Sequence, residues 1–187
     1  IFLGADYIVT LHRGKIPSLD RLWTELEGSE ARREECLHHG TGFFLYELMS
    51  QLFDDIFPLV DQVRRQIRRI EDELFANEEG VDLLRDILNV KRNIISMRSI
   101  LLPQRTLIAT LEHKNKKFLP ENLDVYFDDI VDKIEKIWNN LENLQELVAS
   151  LQETNESIIS HNTNNVIKIL TIFSVVMLPL TFITGFY

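Results

Sequence analysis

Cysteine is nearly absent: Cys36 stands alone among 187 residues. One thiol cannot close an internal disulfide, and it fits a reducing compartment. Positive charge is scarce as well, with 20 basic side chains against 29 acidic ones, a net charge of −9. Phosphate binding wants a basic surface, so a nucleic-acid partner is not expected. The opening stretch IFLGADYIVTLHRG has no basic region followed by an apolar run, and so does not read as a signal peptide. No glycine-rich phosphate loop occurs, and no Ser/His/Asp or Cys/His arrangement has catalytic spacing; the chain is not expected to be an enzyme. What remains is a chain of ordinary hydrophobic content, 45%, long enough for one domain with a large core.

The first eleven residues carry a strand pattern: Ile1, Leu3, Tyr7, Val9 and Leu11 are apolar, with GAD as turn chemistry between them. A start in mid-strand without methionine suggests a piece of something longer. From Pro17 the spacing turns helical through Leu19, Leu22, Trp23 and Leu26, with Ser18 as a candidate cap. Beyond about residue 41 everything reads as long helices. One runs from Leu45 to Leu74, with Pro58 as a candidate kink and Gly80 as the break after it. A second covers about Val81 to Leu111, bent or divided at Pro103, and HKNKKFLP at 113–120 reads as a basic turn.

The third helical stretch is the most regular. Leu123, Phe127, Ile130, Ile134, Ile137, Leu141, Leu144, Val148 and Leu151 alternate steps of four and three, the 3.5-residue period of a supercoiled seam. The register continues through Asn155, Ile158, Asn162 and Asn165, and no helix breaker lies between Leu123 and Val166. One continuous helix is therefore predicted to run into the apolar end of the chain. There, Ile169 to Tyr187 is a run of 19 residues without a charge, close to the ~20 that cross a bilayer core. Pro179 is no objection, because spanning helices tolerate proline.

At 100° per residue, Asn164, Ile167, Thr171, Ser174, Leu178, Thr181 and Gly185 share one face of this segment. Two readings compete for a stripe of hydroxyl and small groups. It can pack helix against helix, or it can line a pore that is wet at the hydroxyls and narrow at Ile167 and Leu178. Charge tips the balance toward the pore. Between Glu121 and Glu156 stand ten carboxylates, opposed only by Lys133 and Lys136. If several copies surround an axis, their fields add and concentrate cations at the mouth.

The residues NTNNVIKILTIFSVVMLPLTFITGFY at 162–187 resemble the first pore helix of the CorA magnesium transporters. In that family the helix leads into a Gly-Met-Asn signature, and this chain stops at Tyr187, where the signature is expected next. The resemblance is collinear through the helices from about residue 41 and covers the strand region at 1–14. It implies a mostly α fold with a small β part. Residues 1–120 would be the C-terminal part of a cytosolic α/β domain with long antiparallel helices. Residues 121–165 would be a stalk helix, and 166–187 the first transmembrane helix. It further implies a homopentamer in the cell (inner) membrane, in contact with lipid and with its N-terminal domain cytoplasmic. That assembly would conduct divalent cations, Mg2+ foremost, without ATP. The family's pore-lining positions fall on Asn164, Ile167, Leu170, Leu178 and Thr181; with Ser174 from the stripe, these are the candidate pore residues. Methionines common in the family's constriction are replaced here by Ile167 and Leu178, which keeps it apolar and less soft. YFDD at 126–129 resembles the family's regulatory site, where an acid at the position of Asp129 helps bind a Mg2+ ion between neighbouring domains. Asp128 is the second candidate there.

Two alternatives stay open. CLHH at 36–39 offers zinc-type ligands without a zinc spacing, reads best as a surface turn, and keeps alive the zinc-transporting ZntB branch. A tail-anchored coiled-coil scaffold without transport would also carry an apolar end. Arg64, Arg65, Arg68 and Arg69 read as a solvated band paired with nearby acids.

Overall fold

The computed structural model describes residues 1–76, 81–114 and 123–185. Gly80, the basic stretch from residue 115 to 120, Glu121, Phe186 and Tyr187 lie outside the described residues.

The start of the chain is a hairpin, because Gly4 and its neighbours turn the chain back. Strands β1 (Phe2–Leu3) and β2 (Ile8–Val9) pair antiparallel, Phe2 opposite Val9 and Leu3 opposite Ile8. The Gly4 amide donates to the Tyr7 carbonyl at 2.9 Å, closing the turn.

Helix α1 (Pro17–Gly28) begins on its proline, whose missing N–H is not needed in a first turn. Ser18 is therefore not the cap. Ile16 holds that position, and Ser18 sits inside the helix, buried, its Oγ without a hydrogen-bond partner among the described residues. Helix α2 (Glu30–His38) follows, capped by Ser29, whose Oγ accepts from the Arg32 amide at 3.3 Å. CLHH is thus a helix end and not a free turn. Helix α3 (Gly40–Asp54) opens on Gly40 at φ +82°, a conformation that glycine adopts without strain.

The long helix expected over 45–74 is two helices. The chain breaks at Asp55 and resumes as α4 (Ile56–Phe75). Pro58 lies in the first turn of α4, and the carbonyl it cannot serve, four residues back, is that of Asp54, where α3 ends. Helix α5 (Val81–Lys114) passes through Pro103 undivided, and α6 (Asp124–Gly185) runs for 62 residues, about 93 Å at 1.5 Å per residue.

Side-chain pairs give the directions. Lys91 donates to Gln152 and Arg98 to Gln145, while Arg105 pairs with Glu135, so α5 runs antiparallel to α6. Tyr46 reaches Asp129 and Ser50 reaches Lys133, so α3 runs parallel to it. The seam read from the sequence is the core: Phe127, Ile130, Ile134, Ile137, Leu141, Leu144, Val148 and Leu151 are buried against α3, α4 and α5. Each contributes roughly 1.5–3 kcal/mol of burial. Arg98 caps this contact, its guanidinium 4.2 Å from the centroid of the Trp138 ring. A smaller cluster of Leu22, Leu26, Cys36 and Leu48 joins α1, α2 and α3. Burial on α6 ends at Asn155, and from Thr163 to Gly185 every side chain is exposed.

Candidate functional site

Helix α6 carries both groups of candidate residues. In its apolar half, Asn164, Ile167, Leu170, Ser174, Leu178 and Thr181 are all exposed. This is the only helix among the described residues that is long and apolar enough to cross a membrane, and its apolar window is not buried. The hydroxyls of this half turn inward on their own backbone. Thr171 donates to the Ile167 carbonyl at 2.8 Å, Ser174 to Leu170 at 2.9 Å, and Thr181 to Leu178 at 2.9 Å. Thr184, which is off the stripe, makes the same bond to Leu180 at 2.9 Å. A hydroxyl bonded in this way needs no water, so hydroxyls alone do not mark a wet face. What sets the stripe apart is its azimuth. Ideal geometry puts Asn164, Thr171 and Leu178 within about 40° of Asp124, Asp128, Glu135, Glu142, Glu146 and Glu153. On an ideal straight helix Asn164 and Thr171 thus share an azimuth with these acids, while Ser174 and Thr181 lie further round.

Some of that acidity is neutralised within the chain. Glu135 pairs with Arg105, Glu142 with Arg98 at 3.3 Å, and Asp129 with Lys133 at 3.6 Å. Asp124, Asp128, Asp132, Glu146 and Glu153 have no ion pair among the described residues. In the arginine band, Arg64 bonds Asp61 and Asn140, and Arg69 bonds Glu73 and Asp86. The expected pairing with nearby acids holds for these two; Arg65 and Arg68 have no ion pair among the described residues.

Asp129 and Asp128 part company in space. Asp128 is exposed, while Asp129 is half-buried beside α3. The Tyr46 hydroxyl approaches Asp129 Oδ2 at 3.5 Å, a long contact. Lys133 lies between Asp129 and α3, donating to Ser50 Oγ at 2.6 Å and to Asp54 at 2.9 and 3.1 Å. Burial pulls the Lys133 ammonium down, but the Asp54 hydrogen bond and the charges of Asp54 and Asp129 outweigh it, and its pKa is raised. Tyr46 is raised too, by burial and then by the charge of Asp129. An aromatic cluster of Phe43, Tyr46 and Tyr126, with centroids 5.0 to 5.7 Å apart, walls the near side. The oxygens here are hard donors, and Mg2+ needs only one or two carboxylates because it keeps much of its water. Asp129 and Asp54 fit that chemistry; no cluster of three or more His, Cys, Asp or Glu occurs among the described residues. Sequence reasoning singled out Asp129 but not its neighbours Tyr46, Ser50, Asp54 and Lys133. The available signal was Lys133 four residues after Asp129, the spacing of a helical ion pair.

A long helix that passes from a packed bundle into an unburied apolar run is a candidate membrane span by length and composition. The chain belongs to the CorA-like Mg2+ transporter family, whose model matches residues 1–187. It is 30% identical over 193 residues to the putative metal ion transporter YfjQ of Bacillus subtilis, covering 100% of this chain and 57% of that protein. It is 30% identical over 145 residues to the cobalt/magnesium transport protein CorA of Thermotoga maritima, covering 78% of this chain and 41% of that protein. The chain thus spans about half the length of the curated relatives it matches. The fold matches the complete structure of the CorA magnesium transporter from Methanocaldococcus jannaschii with a TM-score of 0.82 at 19% identity, over 94% of this chain and 55% of that one. The family is one of transporters and not enzymes.

Proposed function

We propose that the complete protein conducts divalent cations, Mg2+ foremost, passively across the cell (inner) membrane. Five copies of α6 surround the axis, each with residues 121–165 as stalk and 166–187 as first spanning helix, and residues 1–120 belong to the cytoplasmic domain. Asn164, Ile167, Leu170, Ser174, Leu178 and Thr181 face the pore, and the unpaired acids Glu146 and Glu153 concentrate cations above it. Asp129 is the regulatory Mg2+ ligand at the subunit boundary, with Asp128 as an outer carboxylate.

One observation carries this reading: a single unbroken helix, α6, joins the packed acidic part of the chain to the exposed apolar part. Oxygen donors favour Mg2+ over zinc, and the one thiol is walled in by Leu22, Leu26 and Leu48.

The test is Mg2+ uptake by liposomes holding the complete protein. Asn164→Leu removes a polar ring before the constriction and is expected to cut the rate about tenfold or more. Val176→Leu, on the opposite side of the helix, is expected to stay within about twofold. Equal effects would turn the helix from this assignment, and no uptake by the wild type would favour a non-transporting scaffold.

A further inference from the structure

Helices α4 and α5 present two unlike flanks. Arg69 of α4 meets Asp86 of α5 at 3.7 Å, Arg64 of α4 meets Asn140 of α6 at 3.0 Å, and Lys91 of α5 meets Gln152 of α6 at 3.0 Å. These contacts orient both helices. Phe75 comes eleven residues, three turns, after Arg64, so it shares the side of α4 that is turned away from α5. It is 67% exposed. Glu71 and Asp72, one turn before it, flank it, and neither has an ion pair among the described residues. On this flank an aromatic knob stands beside two carboxylates. On α5, Leu84 comes seven residues, two turns, before Lys91, on the side turned away from α4. Leu84 and Leu88, 39% and 48% exposed, line a shallow hollow there with Arg85, Asn89 and Arg92. Neither arginine has an ion pair among the described residues; Arg92 donates to Asn89 at 2.7 Å. On this flank an apolar hollow has a basic rim.

We propose that the Phe75 knob of one copy seats in the Leu84–Leu88 hollow of the next, with Glu71 and Asp72 against Arg85. The inference rests on the proposed assembly of several copies around an axis and deepens it by naming a contact between them. Knob and hollow face away from each other, so one chain cannot join its own pair. A contact between two different patches closes into a ring when the rotation allows, and touching groups in such a ring stand at one height. The Arg69–Asp86 pair, six and five residues from the facing ends of α4 and α5, fixes that height. From it, Phe75 lies about 9 Å along α4 and Leu84 about 3 Å in the same direction along α5. Side chains lean toward the N-terminus of their own helix, which lowers Phe75 and raises Leu84 and closes much of the difference. Lipid does not reach the hollow. Counted from the Lys91–Gln152 contact, Leu84 stops about 15 Å short of Ile169, and a headgroup layer is only about 5–7 Å thick.

Cross-linking of the complete protein in its membrane with a short bis-maleimide tests this. Phe75→Cys together with Leu84→Cys is expected to give a ladder of covalent oligomers that ends at a closed ring. Either substitution alone should give no more than wild type, and so should Phe75→Cys with Leu107→Cys, an exposed position on α5 far from the hollow. Arg85→Glu in the cross-linking pair is expected to lower the yield several-fold, and adding Asp72→Arg to restore it. A ladder from Leu84→Cys alone would mean a twofold contact of like faces and overturn the proposal. A yield that Arg85→Glu leaves unchanged would overturn it as well. Native mass spectrometry of the wild type separates the two levels. An assembled wild type whose Cys pair does not cross-link keeps the ring and overturns this contact; a monomeric wild type overturns both.

Discussion

Burial decides what Cys36 can do. Its side chain is 0% exposed, and removal from water raises the thiol pKa more than the nearby Arg32 charge lowers it. The thiolate is the reactive form, so both effects of burial slow chemistry. At pH 8 the folded chain is expected to react with iodoacetamide at least about tenfold more slowly than free cysteine. Denaturation should restore the ordinary rate; a free-thiol rate in the folded chain would contradict this packing. The residue scale was only partly legible in the sequence. Asp129 was singled out, yet of the groups around it only Lys133 is announced by local spacing; Tyr46, Ser50 and Asp54 come from α3, about eighty positions away. Ser18 misled for a related reason. Its residue type suits a cap, but Pro17 beside it starts the helix one position early and leaves Ser18 inside.

Elements were legible wherever apolar spacing was long. The seam of α6 was read position by position, and burial follows it to Asn155. Helix α2 was not seen, because EARREECLH buries Cys36 and no other side chain, which leaves no period to read. Pro103 was expected to bend or divide α5, at a cost of about 3 kcal/mol in an ordinary helix interior. It does not divide it, because Leu101 and Ile108 on either side are both buried in the main core, and Pro103 itself is on the exposed side. Packing on two flanks outweighs one missing hydrogen bond that water can replace. The same core gives a stability prediction. Ile137 is 0% exposed at the middle of the seam. Ile137→Ala is expected to destabilise the bundle by about 2–5 kcal/mol. Denaturant unfolding in detergent, followed by Trp138 fluorescence, measures it; a loss well under 1 kcal/mol would mean that the seam is not the core.

At the scale of the whole molecule, the question is how the proposed site beside Asp129 can speak to the proposed constriction at Ile167. Both lie on α6, 38 positions and about 57 Å apart along one unbroken helix. Tilting the stalk at one end moves the other end, with no jointed element between. In the proposed pentamer, metal at five equivalent sites holds the stalks together, and emptying them lets the unpaired acids of neighbouring stalks repel. A ligand shifts such an equilibrium only through its differential affinity for the two states. About 1 kcal/mol per site, summed over five, suffices to move a population nearly completely. Asp129→Asn would weaken each site and also free Lys133 from one of its two carboxylates. The basal current is expected to change little, and inhibition by cytosolic Mg2+ to move to a concentration several-fold higher. Glu27→Gln is the control: it removes an exposed carboxylate on α1 that has no ion pair among the described residues. Currents from the complete protein, recorded while cytosolic Mg2+ is titrated, decide between them. An unshifted curve for Asp129→Asn, or an equal shift for Glu27→Gln, would reduce Asp129 to one more solvated charge on an acidic helix.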